Sequence, residues 1–366
     1  MNSDSYIKTF EYVHNQKQRR ILPFIDFHNY RCFVNPDEKK TIWRGESLKD
    51  VHEVVFGSHF FASPETASAV LTLFPNVRVI HIVNSSLQKR VTVEFPINNN
   101  DRSTTPPMLS QLVIGPGVVL GSAVYPILKQ IRTFHIKAES AADFRTWLIH
   151  LDSTRLSSLY RLIISQGSQQ NDRTVPDDLF FLLPSTIKSL EFSDPNLNHR
   201  QIVELVLSLP DRQQHHHHLH TLILPENLVS NINELNRLLF YQQELRRLHV
   251  GIIRLFTKDD MWNLMRQCPK LEDLTMGDIE YLGNDDDVTC HIVFPRGLRS
   301  LRIGHMGHRV FLSRISMDSI VRSKLRYLAL DRMLWNGELR IATLESLEVP
   351  LDVDVFVFSG LRRLSF

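Results

Sequence analysis

The sequence predicts an α/β chain built as a solenoid, with short parallel strands on its concave face and mostly helices on its convex one. Three observations predict it. Apolar residues recur at offsets of zero, three and five, which fits neither an amphipathic helix nor a strictly alternating strand. The spacing returns after 26, 26, 27 and 27 residues across four consecutive units, a regularity that chance does not supply. The stretches between the copies carry helix caps and one-sided apolar stripes.

The strand elements come first along this argument. In "FPRGLRSLRIG" (294–304) the spacing is Leu298-Leu301-Ile303, separated by Arg299, Ser300 and Arg302. Thirteen such sets occur. The early ones are Val51-Val54-Phe56, Val77-Ile80-Ile82, Leu109-Leu112-Ile114, Ile131-Phe134-Ile136 and Leu159-Leu162-Ile164. Ile187-Leu190-Phe192, Leu219-Leu222-Leu224, Leu245-Leu248-Val250 and Leu271-Leu274-Met276 follow. After the set at Leu298 come Leu325-Leu328-Leu330, Leu344-Leu347-Val349 and Leu361-Leu364-Phe366. The final two intervals, 19 and 17 residues, are too short for a full helix.

The segments between read as helices. Ser63-Pro64-Glu65 supplies an N-cap and a first-turn proline ahead of Ala67, Val70, Leu71 and Phe74. Ser140 opens Phe144, Trp147, Leu148 and Leu151, and Asn198 with Gln201 resembles a capping box before Ile202, Leu205, Val206 and Leu209. Leu228, Ile232, Leu235 and Leu238 form another stripe. Thr257 is the expected cap for Met261, Leu264, Met265 and Cys268, with Pro269 as the stop.

A unit of one strand and one helix cannot bury its own apolar face, but stacked neighbours can. With that arrangement in hand, residues 51–366 resemble a leucine-rich-repeat domain of about thirteen units, whose known form is a horseshoe. The Asn or Cys of the regular consensus is mostly absent. The repeats are degenerate, like those of F-box and other adaptor proteins, and "LLPSTIKSLEF" with "FPRGLRSLRIG" resembles FNIP-type repeats without their signature. Residues 1–50 do not match the spacing and read as an N-terminal cap. They also read as a degenerate F-box, on Leu22-Pro23 and Trp43. The chain ends within a strand at Phe366 with no polar cap after it, so either that edge is tolerated or the assembly covers it.

Bulk composition narrows the class. The chain has 366 residues, 43% of them hydrophobic and 22% charged, which is enough apolar material to fold. A net charge of +2 gives no electrostatic case for nucleic acid or membrane as partner. Cys32, Cys268 and Cys290 are too scattered for a disulfide framework or a zinc site. No signal-peptide core and no long apolar run occurs, so a cytoplasmic or nuclear location is expected.

Candidate chemistry is sparse. "GPGVVLG" (115–121) has glycines after a strand, yet Pro116 removes a donor and no helix starts cleanly after Gly117, as phosphate binding requires. "HHHHLH" (215–220), "NNNDRSTTPP" (98–107) and "QGSQQNDRT" (166–174) read as loop insertions. Asp285–Asp287 lacks the alternating oxygens of a calcium loop. No nucleophile elbow, phosphate loop or metalloprotease helix is present. No cofactor, metal or catalytic residue is therefore expected, and the chain is read as a non-enzyme.

Function is expected on the sheet face. The strand-centre positions carry Val55, His81, Val113, His135, Ile163 and Ile223, then His249, Thr275, Arg302 and Glu348. The positions two before carry Glu53, Val79, Arg161, Arg247, Asp273, Tyr327 and Arg363. Val79, Val113 and Ile163 are expected to form an apolar strip, and Arg247, His249, Asp273, Arg302 and Tyr327 a polar one. Together these are the candidate residues for binding a protein partner. An F-box at residues 1–50 would make that partner a ubiquitination substrate and add a ubiquitin-ligase adaptor. The alternative is an enzyme or enzyme regulator with an unrecognised site. Gly57, Gly115, Gly251, Gly277 and Gly304 recur two places after the strand centre, and either ease a turn or leave backbone open to a partner.

Overall fold

In an ordinary strand, successive N–H groups point to opposite sides. At the start of each strand here they do not. Arg299 and Ser300 both donate to the carbonyl of Glu272, at 2.8 and 3.0 Å. Arg326 and Tyr327 repeat this on Arg299, Arg246 and Arg247 on His220, and Arg132 and Thr133 on Ser110. The chain is still turning at these two residues. Offsets zero and three therefore face the same way, and the strand then carries offset five to that side as well. Leu298, Leu301 and Ile303 are all fully buried, and every other member of the thirteen sets whose side chain is described lies in the core.

The computed structural model describes residues 24–27, 34–35, 40–41, 52–72, 74–84, 90–95, 108–121, 125–138, 158–166, 186–193, 219–240, 242–257, 260–283, 288–307, 310–332, 341, 343–348 and 363–365. The fold is α/β with mostly parallel strands and few helices. The chain divides into two compact units, Met1–Ile187 and Lys188–Phe366.

In the first unit, Phe24–Phe27, Glu53–Gly57, Val79–Val83, Gln111–Ile114, Thr133–Ala138 and Arg161–Gln166 pair in that order, all parallel. Their register aligns Val54, Ile80, Leu112, Phe134 and Leu162. An aromatic cluster fills one end. The Phe56 ring centroid lies 5.7 Å from Phe60, 5.5 Å from Phe61 and 5.7 Å from Phe74. The ring of Phe95 meets Phe61 at 4.9 Å.

The strand Phe24–Phe27 changes the expectation for residues 1–50. Ile25 is in register with Val54 and Phe27 with Phe56. Leu22-Ile25-Phe27 is thus a further copy of the spacing, 29 residues before Val51. The Leu22-Pro23 that resembles the start of an F-box leads into a strand. Trp43 lies outside the described residues.

In the second unit, Ser189–Phe192, Thr221–Ile223, Arg247–Val250, Asp273–Met276, Ser300–His305, Tyr327–Arg332, Ser346–Glu348 and Arg363–Ser365 pair in order, again all parallel. Leu190, Leu222, Leu248, Leu274, Leu301, Leu328, Leu347 and Leu364 share one row.

The layer opposite the sheet departs from the expected run of helices. The helix Pro64–Thr72 forms as predicted and buries Ala67 and Leu71. The Leu228 stripe also buries, but its helix is Ile232–Leu239, after a strand Val229–Asn231. Asn231 caps it through a reciprocal bond pair with Glu234, at 2.8 and 3.1 Å. Thr257 caps no helix. Its N–H and that of Phe256 both donate to Asp260, which closes a tight turn. The chain then runs as a strand, Met261–Asn263, and a single helical turn, Leu264–Gln267. Of the expected stripe Leu264 and Cys268 are buried, but Trp262 takes a core position and Met261 and Met265 lie outside.

Elsewhere the outer layer is itself parallel sheet. Val229–Asn231, Ile252–Leu255 and Ile279–Tyr281 form one such sheet. Met261–Asn263, Val288–Val293 and Val310–Leu312 form another, joined by the helix Arg314–Val321. In the first unit, Val91–Val93 pairs with Val118–Leu120. The helices expected at 140–151 and 198–209 lie outside the described residues, as do the 98–107 tract, His215–His218 and Asp285–Asp287.

Candidate functional site

The sheet face opposite the core is built by the residues between the buried positions. In the second unit one row reads Thr221, Arg247, Asp273, Ser300, Tyr327 and Ser346. The next reads Ile223, His249, Thr275, Arg302, Ala329 and Glu348. All five residues of the expected polar strip therefore stand on neighbouring strands of one face. Arg247 and Arg302 are exposed, while His249, Asp273 and Tyr327 are half-buried.

Adjacent strands carry opposite charges and pair across the gap. Arg247 Nε donates to Asp273 at 3.0 Å, and Tyr327 donates its hydroxyl proton to Glu348 at 2.8 Å. Burial holds His249 below its ordinary pKa, and Arg302 lowers it further, against the opposing pull of Glu226 and Asp273. His249 is thus a neutral donor and acceptor beside a cation. The Arg302 side chain makes no hydrogen bond or ion pair with a described residue.

A row that the sequence reading passed over adds to this face. The residue immediately after the first apolar position is Arg246, Glu272, Arg299, Arg326 and Glu345 in successive units. Arg299 reaches Glu272 at 3.5 Å and Arg326 reaches Glu345 at 4.0 Å. Its signal was available, since the charges recur at the same interval as the leucines.

The first unit does not assemble the expected apolar strip. Val79 pairs in register with Gln111, one row away from Val113. Val113 and Ile163 share a row, but His135 stands between them and His81 on the far side. Val113 is only 2% exposed. His81 Nε2 lies 2.8 Å from Glu53, and His135 Nε2 lies 2.8 Å from the Ser165 hydroxyl. Burial, helped by Lys137, His81 and Arg161, lowers His135 from 6.5 to about 4.

The recurrent glycines are not open backbone. A Cβ on Gly277 would stand 2.8 Å from the Gly251 carbonyl oxygen, and one on Gly304 would stand 2.9 Å from the Gly277 carbonyl carbon. A Cβ on Gly251 would run into the Pro225 carbonyl. Neighbouring backbones touch at this column, so glycine is required by close approach. "GPGVVLG" is a corner: Gly117, with φ of 68°, turns the chain from Gln111–Ile114 into the strand Val118–Leu120. After Gly117 the chain continues as this strand rather than as a helix.

Among the described residues no three His, Cys, Asp or Glu side chains gather to hold a metal, and no helix is long and apolar enough to cross a membrane. Burial pushes the Cys268 and Cys290 thiols up to about 12, which keeps them protonated. No protein family and no curated protein matches this chain.

Proposed function

We propose that this chain is a leucine-rich-repeat-like solenoid that binds a protein partner on the polar face of its second unit. The observation that carries the reading is the row of Arg247, Asp273 and Tyr327 beside His249 and Arg302, presented on strands of a single register. A rigid parallel sheet fixes such side chains about 4.8 Å apart, so little ordering entropy is lost on binding. Arginine and tyrosine are also the residue types that most often dominate interface energies.

The strand Phe24–Phe27 favours the cap over the F-box for residues 1–50, because it extends the sheet in register. The alternative of an enzyme has one hook, the hydrogen bond between His135 and Ser165. A nucleophile of that kind needs a carboxylate to orient its histidine, and Glu53 is bonded to His81 instead.

The test is affinity capture of a partner by the whole chain, followed by binding measurements on variants. Arg302→Ala and Tyr327→Ala should each weaken binding by about 1–3 kcal/mol. Arg237→Ala, on the exposed side of the helix Ile232–Leu239, should have little effect. The opposite ranking would move the site off the sheet. Deleting residues 1–50 should not release a ubiquitin-ligase adaptor, and its specific loss would restore the F-box reading.

A further inference from the structure

Resting on that reading, we infer the chemistry of the partner: its docking segment is acidic, a short run of Asp and Glu received by Arg296, Arg299, Arg302, Lys324 and Arg326. These five come from two adjacent intervals of the second unit. The Lys324 N–H donates to the Arg296 carbonyl at 3.2 Å, and the Arg326 N–H to the Arg299 carbonyl at 2.8 Å. The cations therefore stand side by side at the start of two paired strands. No acidic residue lies between Arg296 and Arg302, or between Lys324 and Ala329.

Their existing partners leave most of their donors unused. Arg296, Arg302 and Lys324 are exposed and make no side-chain hydrogen bond or ion pair with a described residue. Arg299 and Arg326 have one carboxylate each, at 3.5 and 4.0 Å, with 60% and 65% of their side chains exposed. Pairs so long and so wet hold little energy. Each guanidinium has five N–H donors in a planar fork that suits a carboxylate bidentately.

The shape of the charge selects a peptide. The patch is bounded by Glu272 and Asp273 on one side and by Glu345 and Glu348 on the other. It is about two strand spacings wide, roughly 10 Å. An extended acidic segment fits inside it. A nucleic-acid backbone following the row would meet carboxylates at both ends, and a chain of net charge +2 exerts no long-range pull on a polyanion.

Fluorescein-labelled tetraglutamate, short enough to lie within the patch, titrated into the whole chain and read by anisotropy, tests the assignment. Saturable binding that weakens steeply with added salt is expected. Arg302→Glu and Lys324→Glu should each lower affinity about tenfold. Both positions are exposed, so thermal melts should be unchanged, and Arg237→Glu should bind as the parent does. Absence of binding, equal loss in Arg237→Glu, or tighter binding of polyuridylate would overturn the proposal. A captured partner that depends on Tyr327 but is not displaced by tetraglutamate would sink the acidic chemistry alone. A captured partner indifferent to Arg302 and Tyr327 would sink the scaffold reading instead.

Discussion

The same two rows of one strand pattern make different surfaces in the two units. In the first, the rows hold Val55, Val79, Val113 and Ile163 with His81 and His135 among them, and the side chains shield one another. Val113 reaches the burial of a core residue although its strand faces it away from the leucine core. In the second, Arg247 pairs with Asp273 and Tyr327 with Glu348 across strands, and Arg247 and Arg302 stay exposed. Neighbours about 4.8 Å apart in a parallel sheet decide a residue's exposure as much as its own direction does. A valine beside histidines can be covered, while an arginine beside a carboxylate extends past it.

Breaking the shared pattern should cost most. Leu301→Asp places an unpaired charge in the core and should cost several kcal/mol. Arg302→Ala, one residue on, should stay within about 0.5 kcal/mol. Equal losses in denaturant melts would refute the register. The glycine column should come next. Gly277→Ala meets backbone at 2.8 Å, whereas a Cβ on Gly297 finds its nearest neighbour at 3.7 Å. The first should lose about 1–3 kcal/mol and the second less than about 1 kcal/mol, the usual scale for an added core methyl and for a tolerated glycine change.

The face itself offers a sharper comparison. Val113→Ala should cost about 1–2 kcal/mol, since it removes buried methyls. Thr275→Ala, in the corresponding row of the second unit, should cost under about 0.5 kcal/mol. If the two variants melt alike, the faces do not differ in burial.

Acid sharpens the comparison last, through His135 of the first unit, with His249 of the second shifted in the same direction. His135 binds its proton less readily folded, near pH 4, than unfolded, near pH 6.5. Its contribution is complete above about 6.5 and lost as pH falls towards 4, because only the unfolded chain takes up the proton over that window. Equilibrium melts of the parent and of His135→Asn across this range should show a shallower acid loss in the variant. Parallel curves would assign the acid sensitivity elsewhere.

Much of the sheet was legible because one-dimensional order is enough to encode it. Offsets of zero, three and five, repeated at a steady interval, specify which side chains turn inward and which strands align, from Leu112 through Leu347. Leu22-Ile25-Phe27 escaped because its Pro23 and following aromatics resemble another module, and only pairing with Val54 and Phe56 shows the strand. The outer layer was less legible. Thr257 and Met261 match a cap and a helical stripe locally, yet Asp260 captures the turn and Trp262 takes the core position, so tertiary packing overrides propensity. The glycine column and the cover over Val113 are likewise contacts between residues 22 to 32 positions apart. By itself the sequence determined the inward face, since burial of a periodic apolar set needs only the period. The outward face was decided by tertiary structure, because exposure, ion pairing and backbone approach depend on which neighbour lies across the gap.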